Sequence, residues 1–441
     1  IASYLCLIIF VALIGNLIYF LASDNSVILS TAYNSKRQDL LAQGTVKGSV
    51  LSEDGQVLAE TITDKKGNEH RYYPYKNMYA HAVGYVDNGK MGVERDYNYY
   101  MLRCNSNPLI TALNEIKGVK NKGDNIVTNL NSKVQKAAYD ALGNRKGAVI
   151  ALNPDNGKIL AMVSRPDYDP NTISKDWKSL IEDKYDESRL LNRATQGLYP
   201  PGSTFKLVTL LEYIRENGGG DAFSYKCSGK DVINGTTIKC YKSKKHGEED
   251  IKKAFAKSCN CAFIQLGQVA GYEAVRDMAQ KMGTGTKVLG FKEEAAGRIT
   301  AEQEAAGAGI ANMSIGQGTL LVSPVQAARI TNIIANGGID TGIHIISEKQ
   351  EKSRIISEKT ADEITEMMKA VTEYGTGAGS STLLCAGKTG SAEAGSMIHG
   401  WFTGFFPYDE PEYTITVFCE DGKSGGNSAL KVFDQIAETL R

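Results

Sequence analysis

The hydrophobic positions of the chain fall into zones of different period. From Ile1 to Ala22 they are nearly continuous: no charge interrupts them, and Ser3, Asn16 and the tyrosines are the polar breaks. About 20 such residues span a bilayer, whereas a cleavable signal has a shorter apolar stretch and a small-residue cleavage site. Ala22-Ser23 supplies small residues, so cleavage stays open, but the length favours a retained transmembrane anchor over residues 1–22. From residue 23 to about 121 the pattern turns polar and irregular. Within it, residues 46–51 and 57–60 read as a hairpin about the turn Asp54-Gly55, with further strand candidates or loops at 71–75 and 83–86. No nucleophile stands beside a base there, and a membrane-proximal docking domain is expected over 23–121.

Beyond a turn-rich boundary at 120–125 the periods become regular. Ser132 to Leu142 sets Val134, Ala137, Ala138 and Leu142 on one helical face. Residues 147–152 and 158–163 are apolar strands joined through Asn153-Pro154-Asp155-Asn156-Gly157, a hairpin signal. A mostly apolar helix is predicted over 207–214, and helix and loop from 221 to 311. Three apolar strand runs follow at 383–392, 399–406 and 413–420. A closing helix over 428–440 buries Leu430, Val432, Phe433, Ile436 and Leu440. Strands at both ends with helices between predict an α+β domain, 122–441, whose terminal segments share one antiparallel sheet.

Composition changes this picture little. The 441 residues allow two or three domains, and 42% hydrophobic with 23% charged is ordinary for a folded chain. Fifty basic residues balance 50 acidic ones, without the basic excess that a nucleic-acid partner calls for. The eight cysteines form no zinc motif readable from spacing. Cys227 and Cys240 flank a polar loop and suit a disulfide in an oxidising compartment. Cys259 and Cys261 are spaced C-x-C, which fits neither a zinc knuckle nor a redox pair, so His246 near them is not read as a ligand and no metal is expected.

Candidate chemistry centres on Tyr199-Pro200-Pro201-Gly202-Ser203-Thr204-Phe205-Lys206. The prolines and glycine stop what precedes, so Ser203 falls at a helix N-terminus, where unpaired N–H groups and the dipole favour negative charge. Lys206, three residues on, lies one turn away on the same face, which is the arrangement of an activated nucleophile. The stretch Gly197 to Thr204 has phosphate-loop glycine spacing, but Ser203 stands where that motif needs lysine and two prolines remove backbone donors. Alone, Ser-x-x-Lys is most often a capping serine with a solvated lysine. Two further clusters, Ser258-Cys259-Asn260 and Lys388-Thr389-Gly390-Ser391, change that weighting. On a strand, alternation points Lys388 and Gly390 one way and Thr389 and Ser391 the other.

In this order and spacing the motifs resemble the penicillin-binding protein transpeptidases, whose signature is S-x-x-K, S-x-N and K-T-G. Further matches are Asn192-Arg193-Ala194, Ser314-Ile315-Gly316-Gln317-Gly318, Ser323-Pro324-Val325-Gln326-Ala327 and His399-Gly400-Trp401-Phe402-Thr403-Gly404. The resemblance runs from about Gly123 to the C-terminus; the hairpin Gly48–Ala59 and Gly92-Val93-Glu94 point to the class B, monofunctional kind. Lys47 departs from the arginine common in the family, and Ser391 from threonine. The resemblance implies a five-stranded antiparallel sheet flanked by helices, no metal or organic cofactor, and cross-linking of D-alanyl-D-alanine stem peptides. Ser203 is the implied nucleophile and Lys206 its base. Ser258 is implied to relay protons and Asn260 to orient. Lys388, Thr389, Gly390 and Ser391 are implied to receive the substrate carboxylate, and Ser203 and Ser391 N–H groups to form the oxyanion hole. β-Lactams are implied inhibitors, a membrane glycosyltransferase an implied partner, and the outer face of a bacterial membrane the implied location. A D,D-carboxypeptidase, a β-lactamase and a non-catalytic sensor or scaffold are the competing readings.

Overall fold

The computed structural model describes residues 2–22, 35–183, 187–347, 351–382, 384–395, 397–420 and 426–441. Ile1, Ser23 and Leu383, which the expected anchor, docking domain and strand include, lie outside the described residues. Ala2–Ala22 forms a helix with exposed leucine and isoleucine side chains. Among the described residues no helix is long and apolar enough to cross a membrane. The rest divides into two compact units: one takes residues up to 51, 57–74 and 83–126, the other 52–56, 75–82 and 127–441.

In the first unit Val50–Leu51 pairs antiparallel with Val57–Thr63, as the Asp-Gly turn predicts, and Glu69–Tyr72 extends the sheet. Its centre is ionic. Glu94, fully buried, is 2.5 Å from Lys47 Nζ and 2.6 Å from Arg71 Nε, and Arg71 also donates to Gly48 O at 2.8 Å. Gly48 has to be glycine, because a Cβ there would stand 1.9 Å from Asp124 O.

The second unit is built on a five-stranded antiparallel sheet: β1 (Gly147–Leu152), β2 (Ile159–Arg165), β3 (Ala386–Ala394), β4 (Met397–Phe406) and β5 (Tyr413–Cys419), in the order 3-4-5-1-2. The pairing β5–β1 joins the two ends of the unit, Thr416 opposite Ile150. One face is covered by α1 (Ser132–Leu142) and by the closing helix Gly426–Leu440, through Val134, Ala138, Leu142, Phe402, Val417, Phe433 and Ile436. Asn131 starts α1 by accepting from the N–H groups of Lys133 and Val134.

Alternation along β4 sends Trp401, Thr403 and Phe405 to the opposite face. There Thr403 Oγ1 bonds Thr331 Oγ1 at 2.6 Å on α4 (Pro324–Ala335), and Phe405 joins the larger core. That core is formed by α2 (Lys206–Asn217), α3 (Asn260–Ala270) and α5 (Glu358–Glu373). Residues 221–311, expected as helix and loop, also contain two antiparallel pairs: Ser224–Cys227 with Gly247–Asp250, and Lys230–Ile233 with Thr236–Lys239. Their strands are four residues each, too short for a periodic signal to register.

Candidate active site

Ser203 sits in a single tight turn, Gly202–Thr204, and α2 begins at Lys206. The helix predicted over 207–214 thus runs from Lys206 to Asn217, and Ser203 lies in the turn just before it. Two backbones crowd this turn. Gly202 has φ +54° and donates to Gly316 O at 2.9 Å; a Cβ on Gly316 would lie 2.0 Å from Gly202 O. A Cβ on Gly202 would lie 2.5 Å from Ser391 O, so the serine turn and β3 touch backbone to backbone. Upstream, Tyr199 stacks on Phe418 with ring centroids 3.9 Å apart, and its hydroxyl meets Glu420, which Arg193 also holds at 2.8 Å. Trp401 Nε1 donates to Pro200 O. The turn is thus pinned to the sheet from both sides.

Lys206 and Lys388 are both fully buried. Lys206 Nζ donates to Ser258 O at 2.8 Å, to Asn260 Oδ1 at 2.8 Å and to Ser258 Oγ at 3.2 Å. Lys388 Nζ donates to Ser258 Oγ at 3.1 Å and to Thr389 O at 2.9 Å. Ser258 Oγ therefore bridges the two amines. Phe263 lies 5.3 Å from Lys206 Nζ and Phe255 lies 5.5 Å from Lys388 Nζ, within cation–π range. Burial lowers Lys206 to about 8. Burial, and then the neighbouring Lys206, hold Lys388 well below the ordinary lysine value. Lys206 Nζ thus makes three polar contacts and Lys388 Nζ two. Among the described residues no hydrogen bond joins Ser203 Oγ to Lys206 Nζ.

Local structure explains how Ser258 reaches both lysines. Asn260 opens α3, Cys259 caps it by accepting from Ala262 N–H, and Ser258 has φ +56°, a conformation costly for a side-chain-bearing residue. Asn260 Nδ2 is tied to Lys239 O, which fixes its oxygen toward Lys206. On β3, Thr389 bonds Thr376 and Ser391 Oγ accepts from Gly426 N–H, on the face opposite Lys388. Gly390 leaves room that a Cβ would close, 2.9 Å from Thr204 Cγ2. The expected residues thus assemble, with one change of emphasis: Lys388 is directed at Ser258, and Ser391 is the exposed member of its motif. Thr376 and Phe255 carried no sequence signal, because each acts through a contact to a distant segment.

One cluster beside the site was not anticipated. Cys227, Cys240, His246 and Cys259 place their ligand atoms within 4.8 Å of one another. Cys227 Sγ and Cys240 Sγ are 3.7 Å apart, unbonded, against about 2.05 Å in a disulfide.

Comparison with known proteins agrees with this architecture. The penicillin binding protein transpeptidase domain matches residues 147–438, and the penicillin binding protein A dimerisation domain matches residues 47–126. The chain belongs to the penicillin-binding protein transpeptidase family. Peptidoglycan D,D-transpeptidase PbpA of Mycolicibacterium smegmatis is 30% identical over 416 residues, covering 84% of this chain and 83% of that one. The imipenem acyl-enzyme of penicillin-binding protein A from M. tuberculosis superposes with a TM-score of 0.79 at 27% identity, over 90% of this chain and 99% of that one. The D,D-transpeptidase domain of a peptidoglycan glycosyltransferase from Eggerthella lenta gives a TM-score of 0.79 at 25% identity, over 90% and 98%.

Proposed function

We propose that this chain is a serine D,D-transpeptidase that cross-links peptidoglycan stem peptides and is acylated by β-lactams. The observation that carries the reading is the buried Lys206, three residues after Ser203, held by Ser258 and Asn260 and joined through Ser258 Oγ to Lys388. A lysine ordinarily titrates near 10.4 and is no base at neutral pH; burial brings Lys206 into range. Once Lys206 has lost its proton to solvent it carries a lone pair, and Ser258 Oγ and Lys388 Nζ continue the hydrogen-bonded proton path from it. Ser203 Oγ then attacks the carbonyl between the two D-alanines, forming a C–O bond as its proton goes to Lys206. The tetrahedral oxyanion lies toward the Ser203 and Ser391 N–H groups, whose loss would remove a few kcal/mol of stabilisation. The C–N bond breaks as Ser258 protonates the departing D-alanine amine. An amine of a second strand attacks the ester, its proton returns through Lys206, and Ser203 is released. Ser391, Thr389 and Gly390 line the path for the substrate carboxylate.

Residues 1–22 serve as a single membrane anchor in this reading, with the catalytic unit on the outer face. Residues 23–121 dock a membrane glycosyltransferase. The helix Pro108–Ile116 supports that role, since Leu109, Ile110, Leu113 and Ile116 are exposed on it. Exchange of residues 1–121 for an unrelated anchor is expected to abolish cross-linking in cells; retention of it would count against the docking role.

Intact-protein mass spectrometry with benzylpenicillin tests the catalytic reading. Wild type gains one stable penicilloyl group and Ser203→Ala gains none. An adduct lost within seconds would indicate a β-lactamase, release of D-alanine without cross-links a carboxypeptidase, and no adduct a scaffold.

A further inference from the structure

Five cysteine and histidine side chains from separate segments converge behind the Ser258–Asn260 turn. Cys227 ends one short strand, Cys240 follows another, His246 precedes a third, and Cys259 and Cys261 flank Asn260. The sulfurs of Cys227 and Cys240 are 3.7 Å apart, those of Cys240 and Cys259 3.8 Å, and Cys227 Sγ is 3.4 Å from His246 Nδ1. Tetrahedral zinc, with bonds of about 2.3 Å to sulfur and about 2.0 Å to imidazole nitrogen, sets S···S edges of about 3.8 Å and S···N edges of about 3.5 Å. These three edges have the lengths of a tetrahedron about a zinc ion, and all four ligand atoms lie within 4.8 Å of one another. They are too long for disulfides and too regular for unrelated core thiols.

The surroundings suit thiolates. Gly229 N–H donates to Cys227 Sγ at 3.3 Å, and Ala262 N–H donates to Cys259 Sγ at 3.5 Å at the positive end of α3. Glu249 shares with Cys227 one face of the pair Ser224–Cys227 and Gly247–Asp250; it is buried, and neither carboxylate oxygen has a hydrogen-bond partner. Cys261 Sγ, 3.5 Å from Cys240 Sγ, is a spare sulfur at the same place.

We propose that Cys227, Cys240, His246 and Cys259 bind one zinc ion. The ion acts structurally, tying the two short strand pairs to Cys259, the residue between Ser258 and Asn260. It thereby holds Ser258 at its left-handed φ and Asn260 against Lys206. All four protein ligands fill the coordination sphere, so the ion takes no part in bond making. Binding releases the thiol protons and changes no oxidation state. The effect on acylation rests on the proposed role of Ser203; the metal content does not.

Metal analysis of the untagged full-length chain tests this. About one zinc per chain is expected, falling to about a tenth or less in His246→Ala and Cys227→Ser and unchanged in Cys385→Ser. Should the cysteine variant fail to fold, metal-stripped wild type titrated with Co2+ gives the same answer: sulfur-to-metal charge-transfer absorption that Zn2+ abolishes. Wild type without zinc after dialysis against Zn2+, or a mass two hydrogens lower from a Cys227–Cys240 disulfide, overturns the site. Removing zinc with a chelator is expected to slow benzylpenicillin acylation about tenfold or more, reversibly, since small misplacement of reacting groups has effects of that size. Unchanged acylation by folded, zinc-free enzyme overturns the clamp. Zinc-loaded enzyme that never reacts with penicillin refutes the proposed function and leaves the metal site standing.

Discussion

Lys47 in the first unit is partly buried and Lys206 in the second fully so, and desolvation lowers each to about 8. Their partners differ. Lys47 faces Glu94, with Arg71 completing a buried triad, and Glu94 is held below its ordinary value: its own burial raises it, but Lys47 and Arg71 outweigh that. A proton on Lys47 is therefore locked into an ion pair. Lys206 faces a carbonyl, an amide oxygen and a hydroxyl, with a second lysine across that hydroxyl. Its proton is held by neutral groups and can leave. A buried lysine with a shifted pKa thus marks function when no carboxylate is bonded to it; Glu249 acts on Lys206 only through its charge, without a hydrogen bond.

Lys206→Met breaks the contrast hardest. Benzylpenicillin acylation is expected to fall by roughly 10³ while stability holds or rises, because general-base contributions run to 10²–10⁴ and an apolar isostere is accepted where a charge was buried. Stopped-flow acylation and thermal melting read the two effects. Glu94→Gln does the reverse. It is expected to remove about 3 kcal/mol of stability in chemical denaturation, since it leaves two buried cations against no anion, with acylation per folded molecule unchanged. Lys388→Met takes away the second amine of the proton path, and a loss of roughly 10² in acylation is expected, with weaker loss of penicillin affinity.

The smallest effect is the pH profile. Lys206 works as a base only when neutral, so below about 8 acylation is expected to fall about tenfold per pH unit and above about 8 to level off. Lys388, Glu249 and the thiols of Cys240, Cys259 and Cys261 face it and set where the bend falls. Lys47→Met should leave that profile unmoved, although Lys47 titrates in the same range. A shift in its bend would show that the two lysines differ less than their partners suggest.

Much of the catalytic unit was legible because its signals are local. The face of Ser132–Leu142 fixed α1, the apolar runs at 147–152, 399–406 and 413–420 became β1, β4 and β5, and alternation placed Lys388 and Thr389 on opposite faces. What stayed hidden depends on residues far apart in sequence. Nothing near Glu94 announces Lys47 and Arg71, and residues 52–56 and 75–82 pack with the second unit although they lie within the expected docking domain. The cysteine cluster was hidden for the same reason. C-x-C at 259–261 is no zinc motif, and only the two short strand pairs carry Cys227, Cys240 and His246 to it.

The closure of the sheet by its terminal segments also sets a timetable. Ser203 and Lys206 leave the ribosome about 185 residues before Lys388, and at ~5–20 residues per second the nucleophile waits roughly 10–40 s for the strand that completes its surroundings. Until β3 and β4 are made, the core around α2 and α3 lacks Ala386 and Phe405, and β1 lacks its partner β5. A nascent chain in that interval holds the serine in a turn that Gly316 can bond but β3 does not yet back, so reactivity arrives only with the final strands and helix. Truncation at residue 385, which removes Lys388 and the last three strands, would therefore yield a chain containing its nucleophile and no enzyme.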